Sequence, residues 1–94
     1  MSDAPFDRSL TPHWQRGYRF QYEPAQKGHV LLYPEGMIKL NESAGLIGEQ
    51  VDGQRTVADI IQALQARFPD VPELGNDVVE FMQVAEHKHW ITLD

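Results

Sequence analysis

The segment VLLYPEGMIKLNESAGLIGEQVDG (residues 30–53) organises the rest of this chain. It opens with residues 30–33, a run that is apolar on both faces and therefore predicts a central β-strand. After the turn sequence PEG, residues 37–40 alternate between apolar and other side chains, as a half-buried return strand does. We expect Pro34 to start a type I turn and Gly36 to adopt a left-handed conformation that closes the hairpin with a bulge.

Three helices are predicted after this hairpin. Asn41 is suited to cap the first helix, which Gly53 would end. Thr56 starts the second helix, with an acidic residue at capping-box spacing and a single apolar stripe behind it. The third helix is predicted over residues 76–88, with Asn76 as its cap. Its apolar arc is wider than one core-facing stripe requires.

The segment before the hairpin predicts one more strand. Tyr18, Phe20 and Tyr22 alternate with polar residues, which is typical of a half-buried strand. Residues 1–15 show no periodicity, and we interpret them as a flexible N-terminal tail before a domain over residues 16–94. Strands followed by helices indicate an α+β fold. We therefore predict a winged-helix-like domain, with a three-stranded antiparallel sheet followed by three helices.

Composition excludes several classes of function. The 94 residues make one domain with a net charge of −6, and the eight basic residues are scattered. Because nucleic-acid affinity depends on clustered Lys and Arg, this pattern argues against such a partner. The absence of cysteine excludes disulfides and thiolate metal sites and fits a reducing cytosol. We find no signal sequence and no apolar run of membrane-spanning length, so we expect a cytoplasmic protein.

Catalytic and metal-binding motifs are missing from the sequence. It contains no nucleophile elbow, no phosphate-binding glycine loop and no H-E-x-x-H pattern. His87 and His89 are two positions apart on a predicted helix and would therefore point to different faces. We expect no catalytic residue, no metal and no cofactor, and hence a binding protein rather than an enzyme.

An exposed sheet edge is the feature most suited to binding. The predicted strand at residues 37–40 is short and carries one Lys, which is light protection for an edge. An extended peptide could add to it, and the wide apolar arc of the third helix could form the opposite wall of a groove. The pattern alone leaves open that the hairpin is purely architectural, and that Val79, Met82 and Val84 pack on the N-terminal tail or on the C-terminal segment.

Several segments together resemble the PqqD family, small proteins of pyrroloquinoline quinone (PQQ) biosynthesis. The resemblance covers about residues 16–91, and its most specific part is LLYPEGMIKLN at residues 31–41. Gly48 departs from the family, which more often has a bulky apolar residue there. The segments that carry the resemblance are RGYRFQYEPAQ, VLLYPEGMIKLNESA, VDGQRTVADII, DVVEF and HWI.

The resemblance implies a peptide-binding role without catalysis. PqqD-like proteins are recognition elements for ribosomally made, modified peptides. They bind the precursor peptide PqqA and present it to the radical SAM enzyme PqqE, which cross-links a glutamate and a tyrosine of that peptide. The peptide adds as a strand beside the third strand and against the third helix. Carried over to this chain, the implied peptide-binding residues are Met37, Ile38, Lys39, Leu40, Val79, Met82, Gln83 and Glu86.

Two other classes of function compete with this interpretation. A winged-helix outline also occurs in DNA-binding proteins. The third helix, however, carries three acidic residues and only one basic residue, so it is poorly suited to bind DNA phosphates. These residues are Asp77, Glu80, Glu86 and Lys88. A general protein-interaction module is the second alternative. We expect a monomer, although opening of the loop at residues 24–28 would allow a strand-swapped dimer.

Overall fold

The chain folds into two small antiparallel sheets and three helices, as described over residues 6–94 by a computed structural model. Strand β3 is the centre of the larger sheet, between β2 and β4, while β1 and β5 form a separate pair. The α+β prediction is confirmed, and the winged-helix likeness stays a prediction. The elements in chain order are β1 (Pro12–Trp14), β2 (Arg19–Glu23), a 3-10 turn (Pro24–Gln26), β3 (Gly28–Tyr33), β4 (Gly36–Lys39), α1 (Glu42–Gly48), α2 (Val57–Arg67), α3 (Leu74–His87) and β5 (Ile91–Leu93).

The second sheet corrects the prediction that residues 1–15 are a tail. Pro12 pairs with Leu93, and its side chain is fully buried. Residues 1–5 of the predicted tail lie outside the described residues. A three-residue strand is too short to show an alternating pattern, and its partner lies at the far end of the chain, so the sequence alone could not reveal it.

The segment before β1 also stabilises the start of α2. The carbonyl oxygens of Leu10 and Arg8 accept the N–H groups of Val57 and Ala58, with N–O distances of 2.9 and 2.8 Å. The first N–H groups of a helix have no partner within the helix itself. The ordered domain therefore begins well before residue 16.

The β3–β4 hairpin is tighter than predicted. Tyr33 pairs directly with Gly36, so the turn consists of Pro34 and Glu35 alone. The backbone φ of Gly36 is not positive, so the prediction of a left-handed glycine and a bulge is wrong. Because the turn has only two residues, Gly36 already belongs to β4 and pairs with Tyr33. An ordinary extended backbone is enough for this pairing, and no left-handed conformation is needed.

Helix α1 is shorter than predicted, although its cap is confirmed. The Asn41 side-chain oxygen accepts the N–H of Ala44 at 2.8 Å. The helix ends at Gly48, and Gly53, with a φ of +78°, lies in the loop that follows. Two glycines in one turn explain the early end, because each weakens a helix by about 1 kcal/mol relative to alanine.

The predicted start of α2 is confirmed, and the predicted start of α3 is wrong. Thr56 and Asp59 form a capping box, in which each side chain accepts the other residue's backbone N–H. Helix α3 begins two residues earlier than expected, so Asn76 lies inside it and does not cap it. No helix within residues 6–94 is both long and apolar enough to cross a membrane.

The core lies between the helices and β5, and α1 joins it to the larger sheet. The members of the core cluster are Ile47, Val51, Val57, Ile60, Ile61, Leu64, Val78, Met82, Ala85 and Ile91. A Cβ added at Gly45 would lie 2.6 Å from His29 Nδ1, and one added at Gly48 would lie 2.9 Å from Phe20 Cζ. Glycine at both positions therefore lets α1 lie close on the sheet, which fixes its position beside the end of β4.

Candidate functional site

Strand β4 is an outer strand with a free backbone edge. The N–H of Leu40 donates to the carbonyl oxygen of His29 at 3.0 Å, which shows that Leu40 faces β3. Hydrogen-bonding direction alternates along an antiparallel strand, so Ile38 also faces β3. The N–H and C=O groups of Met37 and Lys39 therefore point outward. Among residues 6–94, β4 pairs only with β3, so no described strand covers these outward groups.

A cavity of about 420 Å³ lies beside this edge, between α1 and α3. Six of its eleven lining residues are apolar and five are polar or charged, so a ligand can find both apolar contacts and polar partners there. The residues that line it are Lys39, Leu40, Asn41, Ser43, Ala44, Ile47, Asp77, Glu80, Phe81, Val84 and Trp90.

Helix α3 presents two neighbouring stripes to different surroundings. One stripe is buried in the core and consists of Gly75, Val78, Met82 and Ala85. The other lines the cavity and consists of Asp77, Glu80, Phe81 and Val84. Both stripes follow helical spacing. The wide apolar arc seen in the sequence is therefore explained by one core-facing and one cavity-facing stripe.

The structure brings only some of the predicted site residues to the cavity. Lys39 and Leu40 line it, and Met37 and Ile38 lie beside them in β4. Met82 is 0% exposed and belongs to the core, so the prediction that it lines the groove is not met in this structure.

The other three predicted helix residues also lie outside the cavity lining. Val79 is partly buried and packs against the core. Gln83 and Glu86 are exposed, and neither lines the cavity. Of the predicted peptide-binding residues, those on the strand thus lie at or beside the cavity, and those on the helix do not line it.

A signal for the correct helix face was present in the sequence. Gly75 and Ala85 lie on one stripe with Val78 and Met82, and small residues on a helix face permit close packing. In the structure, a Cβ on Gly75 would be 3.6 Å from Ile61 Cγ2, an ordinary van der Waals contact, so this face packs on α2. The neighbouring stripe, with Phe81 and Val84, was then free to face the cavity. Trp90 could not be found in this way, because it follows the helix.

Charges of opposite sign stand on the two walls of the cavity. Lys39 lies on the strand wall, and Asp77 and Glu80 lie on the α3 wall. Among the described residues, none of the three has an oppositely charged partner within 4.0 Å. All three side chains are exposed, so these charges are available to a ligand.

Comparison with known families identifies the chain. A family model described as "Coenzyme PQQ synthesis protein D (PqqD)" matches residues 28–91. The chain belongs to the PqqD family. The matched region contains β3, β4 and all three helices, so both walls of the cavity lie within the part that defines a PqqD protein.

Two PqqD relatives from Pseudomonas match nearly the whole chain, and both are named PqqA binding protein. The protein from Pseudomonas fluorescens (strain Pf0-1) is 72% identical over 89 residues, which is 95% of this chain and 98% of the relative. The protein from Pseudomonas syringae pv. syringae (strain B728a) is 66% identical over 93 residues, which is 99% of each.

A solved PqqD structure has the same fold. It is a solution NMR structure of the PqqD truncation of Methylobacterium extorquens PqqCD, described as a functional, stand-alone recognition element for ribosomally synthesised, modified peptides. It superposes with a TM-score of 0.76 at 28% identity, covering 94% of this chain and 95% of that chain. The resemblance proposed from the sequence is therefore confirmed at the level of family and fold.

Proposed function

We propose that this chain binds the precursor peptide PqqA as an added β-strand on β4 and presents it to the radical SAM enzyme PqqE. The observation that carries the proposal is the free edge of β4 directly beside the cavity walled by α3. The names of its Pseudomonas relatives support PqqA as the peptide. In this proposal the protein is a binder, and the chemistry belongs to PqqE.

Backbone pairing at the edge of β4 is by itself too weak to hold PqqA with micromolar affinity. The outward N–H and C=O groups of Met37 and Lys39 can form four backbone hydrogen bonds, each contributing about 0.5–1.5 kcal/mol net. Ordering a disordered peptide costs roughly 2–5 kcal/mol, which offsets most of that gain. Micromolar affinity requires about −8 kcal/mol. The remainder must come from apolar contacts, which the cavity lining offers.

The short edge also fits presentation. Strand β4 spans four residues, so it can pair with only a short segment of an extended peptide. Residues of PqqA outside that segment stay accessible to an enzyme. A binding protein with this geometry can therefore hold one part of PqqA while PqqE acts on another.

Amide hydrogen exchange tests the proposed binding mode residue by residue. In the free protein, we expect fast exchange at Met37 and Lys39 and slower exchange at Ile38 and Leu40, whose N–H groups face β3. Saturation with PqqA should slow exchange at Met37 and Lys39, since their N–H groups acquire peptide carbonyls as partners. Binding that leaves both amides unprotected, with changes confined to β2 and α2, would overturn the edge-strand model.

Presentation to PqqE has a separate test. Cross-linking of PqqA by PqqE should be faster with the wild-type protein than without it, and a Lys39→Pro variant that no longer binds PqqA should give no such increase. If the wild-type protein binds PqqA but leaves the PqqE rate unchanged, presentation is wrong while peptide binding stands.

A further inference from the structure

We infer that the cavity beside β4, which forms a groove along α3, selects the peptide side chains that face α3. It takes a Lys or Arg over Asp77 and Glu80, and an apolar residue two positions away over Phe81 and Val84. This inference rests on the proposed function and specifies which peptide segment the site takes. The occupant is an extended segment of PqqA with this pattern of side chains.

The spacing of the two subsites matches a β-strand. The acidic pair and the apolar pair on α3 are centred four residues apart, at about 78.5 and 82.5, which corresponds to about 6 Å along a helix. Alternate side chains of a strand are about 6.6 Å apart and point to the same side. A strand lying along α3 therefore places residues i and i+2 over the two subsites.

The charges favour a cation on the α3 side. The lining carries two carboxylates and one ammonium group, and the carboxylates stand together on one wall. Within residues 6–94 no cationic side chain lies within 4.0 Å of either carboxylate, so nothing described competes for them. Lys39 on the opposite wall repels a second cation, which confines a basic residue of the peptide to the α3 side.

The apolar neighbours strengthen this preference. A charge pair beside apolar walls interacts in a lower effective dielectric than one in open water. The methylene stem of Lys or Arg can also pack along apolar surface such as the Phe81 ring while its charged end reaches the carboxylates. A glutamate at the same peptide position would meet two carboxylates instead.

The test is a double-mutant cycle between PqqA and the protein, measured by calorimetry. Each Lys and Arg of PqqA is replaced singly by Gln, and we expect one replacement to weaken binding about 3- to 10-fold, a range that allows for partial shielding from water. In the Asp77→Asn/Glu80→Gln variant, the same replacement should have no further effect. An apolar residue two positions from that basic residue should weaken binding when changed to Ser.

Glu86→Gln provides the matched control, because Glu86 is exposed on the same helix and lies outside the groove lining. In this variant the full effect of the peptide replacement should remain. The inference is overturned if no basic residue matters, if Glu86→Gln removes the effect equally, or if neither neighbour at two positions contributes. Protection of Met37 and Lys39 by PqqA without such coupling would reject this inference alone, whereas absence of PqqA binding would reject the proposed function as well.

Discussion

The two outer strands of the larger sheet have the same backbone chemistry and different surroundings. On β4 the outward residues are Met37 and Lys39. On β2 they are Phe20 and Tyr22, because Gln21 pairs with Val30, which faces β2 by the same alternation. Each edge thus offers outward N–H and C=O groups at two residues. Only β4 adjoins the cavity walled by α3.

An aromatic cluster packs on the face of the sheet at β2. The Phe20 ring stacks between Trp14 and His29, with centroid distances of 5.1 and 4.9 Å. It also lies against Gly48 of α1. An unpaired edge is therefore not by itself a binding site, since the neighbouring surface determines whether an added strand gains side-chain contacts.

The largest predicted effect is that of proline on the β4 edge. Lys39→Pro removes an outward N–H but leaves the hydrogen bonds to β3 intact, and edge strands tolerate proline. We expect PqqA binding to weaken by at least about 1–3 kcal/mol, roughly 5- to 150-fold, because a buried peptide carbonyl loses its donor. Calorimetry measures the affinity. Tyr22→Pro is the matched control on β2 and should change the affinity less than twofold. Equal losses of PqqA affinity in the two variants would contradict the proposal that only the β4 edge binds the peptide.

A second prediction concerns the aromatic packing at β2. Gly48→Leu should lower the free energy of unfolding by about 1–3 kcal/mol, because the new side chain collides with Phe20. Chemical denaturation gives this value. Gly28→Ala is the control, since its Cβ would meet nothing nearer than 3.9 Å. Adding Phe20→Ala should make the cost of Gly48→Leu smaller, as expected for residues in contact. If the decreases in unfolding free energy caused by Gly48→Leu and Phe20→Ala are additive, the new Leu side chain does not contact Phe20.

The third prediction tests the helix wall beside β4. Val84 lines the groove and is 42% exposed, whereas Val71 is 41% exposed and lies outside it. Val84→Glu should weaken PqqA binding by about 1–2 kcal/mol, because a charge replaces an apolar contact that the peptide would cover. Val71→Glu should leave the affinity unchanged. Titrations of both variants check this, and an affinity loss for Val71→Glu would place the binding surface elsewhere.

The smallest predicted effect is at the junction of β4 and α1. Asn41→Ala removes the N-cap of α1 and should lower stability by about 1 kcal/mol. Because Asn41 also lines the groove, we expect a two- to threefold loss of PqqA affinity, which corresponds to about 0.5 kcal/mol of binding free energy. Thr56→Ala removes the cap of α2 at a similar stability cost and should leave the affinity unchanged. Melting curves and titrations of the two variants separate these effects.

Local patterns in the sequence predicted most of the fold. The central strand, the Asn41 cap and the Thr56 capping box depend on residues close together in the chain, and the structure confirms all three. The β1–β5 pair was missed because its two strands are short and far apart in sequence. Which stripe of α3 faces the cavity was missed as well. Periodicity gives a helix its stripes but not the element that covers each one, and the small residues Gly75 and Ala85, which mark the core-facing stripe, were not used.

The β1–β5 pairing has a consequence for the order of folding. Residue 12 pairs with residue 93, and the backbones of Thr11 and Asp94 exchange two hydrogen bonds of 3.0 and 3.1 Å. Contacts between such distant positions close a long loop and form late. During synthesis, β1 emerges first and has no partner until β5 is complete. The β1–β5 pair can therefore form only after most of the described chain has left the ribosome.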